Sequence, residues 1–140
     1  MLSSSLAIVI AVVAVSAPTA RAGETACAGV DRALTRSFSA SVEPEIANQL
    51  GVDKVEVLQS FHYGQWRILY AEPSFRDGVF LFYSDDPKVQ HFVTEWSGAA
   101  TKFEEASIRN WAEKNAPGIP KRLARCFAWY VTKDRNRVAD

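Results

Sequence analysis

Apolar residues first recur at helical spacing. Cys27, Val30, Leu34 and Phe38 lie three or four positions apart, with Asp31, Arg32 and Arg36 off the stripe, which predicts a first helix. A second is expected around Pro44 to Leu50. Pro44 suits a first turn, Glu43 and Glu45 suit the positive end of the helix dipole, and Gly51 suits the position just past a helix.

From Lys54 the period falls to two. Val55, Val57, Gln59 and Phe61 share one predicted face, then Trp66, Ile68 and Tyr70 do so, with Tyr63-Gly64-Gln65 as the hairpin loop between. Glu72 to Gly78 is rich in turn residues and leads into Val79–Tyr83 (VFLFY), a continuous apolar run that reads as a strand buried on both faces. These three segments predict an antiparallel meander. Val89 to Trp96 alternates again and predicts a fourth strand with Phe92 and Trp96 facing inward.

Thr101-Lys-Phe-Glu104 has the form of a capping box. It opens an expected helix whose apolar face is Phe103, Ala106, Ile108, Trp111 and Ala112 and which stops at Asn115, before Pro117-Gly118. After Pro120, the spacing of Leu123, Cys126, Phe127 and Tyr130 is helical, while Phe127, Trp129 and Val131 alternate. A helical onset with a strand finish is expected there.

Helices, then an antiparallel sheet of about four strands, then a helix packed on it: this order defines a small single α+β domain. A curved, cystatin-like sheet wrapped on a helix has the same order. Element order alone carries no function.

The N-terminus changes the picture of where the chain works. Leu6 to Val15 is an unbroken apolar run of ten residues, about 15 Å as a helix and roughly half a bilayer core. It is too short to span a membrane and has the length of a signal-peptide core. Ala20-Arg21-Ala22 supplies small residues at the cleavage positions. Residues 1–22 are therefore expected to be a cleaved signal peptide and 23–140 a single domain, periplasmic or secreted, with a basic tail at its end. An uncharged MLSSS start departs from the usual basic one. The two cysteines, Cys27 and Cys126, are then expected to form a disulfide, and the lack of a CxxC pair argues against redox catalysis.

Charge points to no nucleic-acid partner. Without Arg21, 15 bases face 16 acids, a balance that gives no footing for nucleic acid. The distribution is uneven, with Glu72–Glu105 acidic and Lys121–Arg137 basic; the basic run reads as a solvated tail, with contact to anionic envelope polymers or lipid headgroups as the alternative.

Chemistry has few anchors. Zinc-protease, nucleophile-elbow, phosphate-loop and EF-hand patterns are missing, and no motif implies a cofactor. Asp85, Asp86 and His91, joined by His62, have the residue types of a divalent metal site. The plainer reading is that Ser84-Asp85-Asp86-Pro87 is a turn, with side chains accepting backbone hydrogen bonds and a proline fixing φ. A Ser–His–Asp set can be drawn from Ser97, His91 or His62, and Asp85 or Asp86, but serines are frequent enough here that such a set is almost always available.

The aromatic hairpin is the stronger feature. Tyr63, Trp66 and Tyr70, with His62, are amphipathic rings of the kind that line sugar, apolar-ligand and protein-binding surfaces. The favoured expectation is an exported binding or envelope-accessory protein without catalysis. Its partner, an envelope component, a small ligand or a protein, would be met through that hairpin. A periplasmic hydrolase or metal-dependent enzyme at the SDDP turn is the first alternative. A structural or self-associating envelope component is the second.

Overall fold

The computed structural model describes residues 8–17 and 25–135. The expected cleavage site between Ala22 and Gly23 lies outside the described residues, as does the end of the basic tail. Ile8 to Ala17 is exposed and has no regular secondary structure. No helix among the described residues is long and apolar enough to cross a membrane.

The domain is α+β, as its sequence order implies. Helix α1 (Arg36–Leu50) is followed by strands β1 (Val55–Tyr63), β2 (Trp66–Pro73), β3 (Val79–Tyr83) and β4 (Thr94–Trp96). Helices α2 (Glu105–Asn115) and α3 (Lys121–Trp129) come next, and α3 runs into a π-helical turn over Tyr130–Asp134. The sheet is a fully antiparallel meander in the order β1-β2-β3-β4.

Both faces of the sheet are covered. On one side α1 packs Val42, Ile46 and Ala47 against Val55, Val57, Leu69, Ala71, Val79, Leu81 and Tyr83. On the other, α2 and α3 pack Ile108, Ala112, Leu123 and Phe127 against Phe61, Ile68, Phe80 and Phe82. The VFLFY run is buried throughout because its alternate residues serve two cores. Phe127 sits at the centre of the second core, with Phe82, Phe80 and Trp96 at ring-centre distances of 4.9, 5.1 and 5.6 Å, all near edge-to-face.

Several expectations are corrected. The 27–38 stripe does not form one helix. Cys27 to Gly29 is a turn, residues 32–35 have no regular secondary structure, and α1 starts at Arg36. Gly29 has φ +77°, a conformation that ends helical winding and favours glycine. The stripe also serves two cores, since Cys27 and Val30 pack on the α2/α3 side and Leu34 and Phe38 on the α1 side. In between, the chain passes the outer edge of β1, where Asp31 and His62 exchange two backbone hydrogen bonds of 2.8 Å each.

Helix α1 begins eight residues before Pro44, because Thr35 caps it by accepting from the Phe38 N–H at 3.2 Å. The Gly51 terminus is as expected: φ is +66° and its N–H donates to the Ala47 and Asn48 carbonyls. The predicted β1 face is broken by a bulge between Val57 and Gln59. Val55 and Val57 face α1, whereas Phe61 faces α3, since one extra residue inverts the alternation. The fourth strand is only three residues long, and Phe92 and Trp96 pack in different cores. Phe103 and Ala106 are exposed, and only the Glu104-to-Thr101 half of the capping box forms, the Glu104 carboxylate accepting from the Thr101 N–H at 2.6 Å.

No strand finishes the chain among the described residues. The buried Thr132 hydroxyl donates to the Ala128 carbonyl at 2.6 Å, taking the acceptor an α-helix would offer its own N–H. The winding loosens, and the Arg135 N–H bonds the Tyr130 carbonyl five residues back.

Candidate functional site

Three places collect the chemistry-bearing residues. The first is the hairpin. Tyr63 and Trp66 are cross-strand partners flanking the Gly64–Gln65 loop, and both are half-buried against the α2/α3 core. Tyr70, on the same face, is bound into the fold. Its ring lies 4.7 Å from that of Phe80 and rests directly on Gly78, where an added Cβ would meet its hydroxyl oxygen at 2.1 Å.

His62 does not join these rings, because it points to the opposite face. Its Nδ1 accepts from Arg67 Nη2 at 3.3 Å, which places the proton of the neutral ring on Nε2, since a guanidinium can only donate. Arg67 also donates to the Ser60 hydroxyl at 3.1 Å and lies 4.2 Å over the Phe38 ring. Burial lowers its pKa, while Asp31 and Asp86 act in the opposite sense.

The second place is the SDDP turn. Asp85 Oδ1 accepts from the Asp86 N–H at 2.7 Å, and Asp86 Oδ1 accepts from the Lys88 N–H at 2.9 Å. The Asp86 carbonyl takes the N–H groups of Val89 and Gln90. These are the bonds of a side-chain-capped turn. His91 is exposed, and its Nδ1 lies 2.9 Å from the Phe92 carbonyl. Asp85, Asp86 and His62 border one depression of about 300 Å³ with Arg67 and Lys88, and His91 is not part of it. Among the described residues no three His, Cys, Asp or Glu side chains gather as a metal site would need.

The third place takes in the start of the basic run read from the sequence as a solvated tail; over Lys121–Trp129 it is instead a helix with one buried face. Arg109 and Asn110 of α2, Lys121, Arg122 and Arg125 of α3, and Thr25, Ala26 and Ala28 of the N-terminal segment surround a cleft of about 680 Å³. Helix α3 makes it by dividing its surface. Leu123, Ala124, Cys126, Phe127 and Ala128 are buried, so Lys121, Arg122 and Arg125 are left together on the exposed side. Helix α2 adds Arg109 and a single carboxylate, Glu113. The ion pair of Lys133 with Glu105 lies outside the cleft, and among the described residues none of the cleft's four cations is in an ion pair.

The opposite wall is held by the Cys27–Cys126 disulfide, which ties the N-terminal segment to α3 with the two Cα atoms 4.5 Å apart. Gly29 allows the close approach. A Cβ there would lie 2.5 Å from Arg122 Nη1. Arg122 then links the cleft to the hairpin, its guanidinium carbon 5.5 Å from the centre of the Tyr63 ring. The available signal was the 121/122/125 spacing opposite a buried face; Arg109 is brought in only by helix packing.

No family profile, curated protein or solved structure matches the chain.

Proposed function

We propose that this chain is a small exported binding domain without catalysis, and that it holds an anionic ligand in the cleft between α2, α3 and the disulfide-tied segment. The supporting observation is four exposed cations, in no ion pair among the described residues, gathered around one concavity on a chain whose net charge is close to zero. Guanidinium groups grip carboxylate and phosphate oxygens through paired N–H donors, and gathering them in a concave wall focuses their field on one volume. The disulfide fits an oxidising compartment, and a periplasmic or secreted location belongs to the same proposal.

Titration calorimetry with sodium polyphosphate tests it on the intact disulfide-bonded protein. The expected result is binding that weakens steeply with added salt and is lost in the Arg109→Ala/Arg125→Ala double variant. Binding that ignores that variant, or no binding at low salt, overturns the reading.

A second reading has one observation in its favour. His62, Asp85 and Asp86 border a common depression with Arg67, so a hydrolytic site there has its acid–base residues within one concavity. It requires an activity toward ester or phosphoester substrates that His62→Gln abolishes while the melting temperature holds. No such activity, or one that His62→Gln leaves intact, removes it.

A further inference from the structure

We infer, resting on the reading that the cleft binds an anion, that its ligand is an acidic sugar chain whose acid groups lie in the cleft and whose rings lie against Tyr63 and Trp66. A lone inorganic anion would need only the cations. Here the cations continue into a pair of amphipathic rings. Arg122 lines the cleft and also stands 5.5 Å from the Tyr63 ring centre. Tyr63 is the cross-strand partner of Trp66 on the same face. The Trp66 indole in turn sits beside Gly118, with 3.9 Å between its Cζ2 and a Cβ built there, in the turn that delivers the chain to Lys121. Arg122 thus joins the cleft to the Tyr63–Trp66 pair, and Gly118 brings Trp66 close to the start of α3.

Acidic sugars present both complements. Their C–H faces pack on aromatic rings, and their carboxylate or phosphate groups take the guanidinium forks. The cleft, about 680 Å³, falls within the ~300–1,000 Å³ common for small-molecule sites, which suits one or two sugar units rather than a flat polymer face.

Two other classes of partner use the same residue types. A lipid surface favours rings that project into it. Tyr63 and Trp66 are half-buried, while the fully projecting rings, Phe75 at 96% and Phe103 at 85% exposure, lie on other loops. Single-stranded nucleic acid stacks on aromatics beside basic grooves, but typically on a chain with a net positive charge, which this one lacks.

The test uses the disulfide-bonded protein with oligogalacturonate, polyphosphate of matched charge, single-stranded DNA and anionic lipid vesicles as probes. Oligogalacturonate is expected to bind tightest and to shift the Trp66 indole N–H resonance in the unmutated protein. Tyr63→Leu is expected to weaken oligogalacturonate about fivefold more than polyphosphate. Equal binding of the two, with no Trp66 shift and no selective loss in Tyr63→Leu, overturns the sugar inference and leaves the anion reading standing. Tighter binding to DNA or vesicles overturns it in favour of those partners. If no anion binds, both readings fall together.

Discussion

The guanidinium carbon of Arg32 lies 3.7 Å above the centre of the Phe61 ring. The same group is 4.9 Å from the ring of Tyr130, and it donates from Nε to the Ser60 carbonyl at 3.0 Å and from Nη2 to the Gln59 side chain at 2.8 Å. It therefore ties the crossing segment to β1 just past the bulge. Together with Asp31, and with the Glu43 carboxylate that accepts from the Val57 N–H at 3.1 Å, it covers the outer edge of β1. A sheet edge left open is a template for unwanted pairing. Burial lowers the pKa of Arg32, which Tyr130 and Asp134 partly oppose.

Arg32→Met should lower stability by about 1–3 kcal/mol, since the stack and two hydrogen bonds go together. Arg32→Lys should recover little, because an ammonium cannot match the planar fork. Urea unfolding of the three proteins measures this; a Lys variant as stable as the parent contradicts it.

Gly78→Ala should cost about 1–3 kcal/mol by forcing the Tyr70 ring off its seat on the glycine. That ring is also held against Phe80, so it cannot swing away freely. The loss should shrink when the same change is made in a Tyr70→Ala background. A double-mutant cycle gives the coupling, and simple additivity would show that the ring is not the obstacle.

Reducing the Cys27–Cys126 bond should remove on the order of 4–5 kcal/mol, the chain-entropy value for a loop of this length. It should also release the N-terminal wall of the cleft. Anion affinity should therefore fall under reducing conditions in which circular dichroism still reports a folded domain. Unchanged affinity in the Cys27→Ser/Cys126→Ser variant would mean that the wall is dispensable.

Tyr83 links stability to alkaline pH. Burial raises its pKa well above the ordinary phenol value, and its hydroxyl donates to Gln49 Oε1 at 2.8 Å. The folded state holds the proton longer than the unfolded one. The contribution is therefore complete below about pH 10, where the unfolded phenol titrates, and is lost progressively above it. Tyr83→Phe should be less stable at neutral pH and show a shallower loss above pH 10. Parallel slopes for the two proteins would assign the alkaline loss to other groups, Tyr130 among them, whose pKa burial also raises.

Much of the sheet was legible because its signals are local. A five-residue apolar run, the hairpin turn at Gly64-Gln65 and Gly51 each carry their meaning within a few positions, although Tyr63, read as a loop residue, ends β1 and pairs with Trp66. The 27–38 segment misleads because regular spacing reports that residues are buried, not that one core buries them. Cys27 and Phe38 end on opposite faces of the sheet. The bulge at Val57–Gln59 is invisible for a related reason, since alternation continues in the sequence while the strand inverts. The cysteine pairing was readable by elimination. The cleft was not, as Arg109 and Arg125 become neighbours only when two amphipathic helices bury their apolar sides.

The disulfide has a mechanical consequence. Cys27 and Cys126 are 99 positions apart in the chain and joined by one covalent bond, with every strand lying in the interval between them. Tension applied at Ala26 and Phe127 would cross the sulfur–sulfur link and bypass the hydrogen-bonded ladders. Pulled from those points, the oxidised domain is a short, inextensible coupling. Once reduced, it becomes a spring that can pay out its whole sheet.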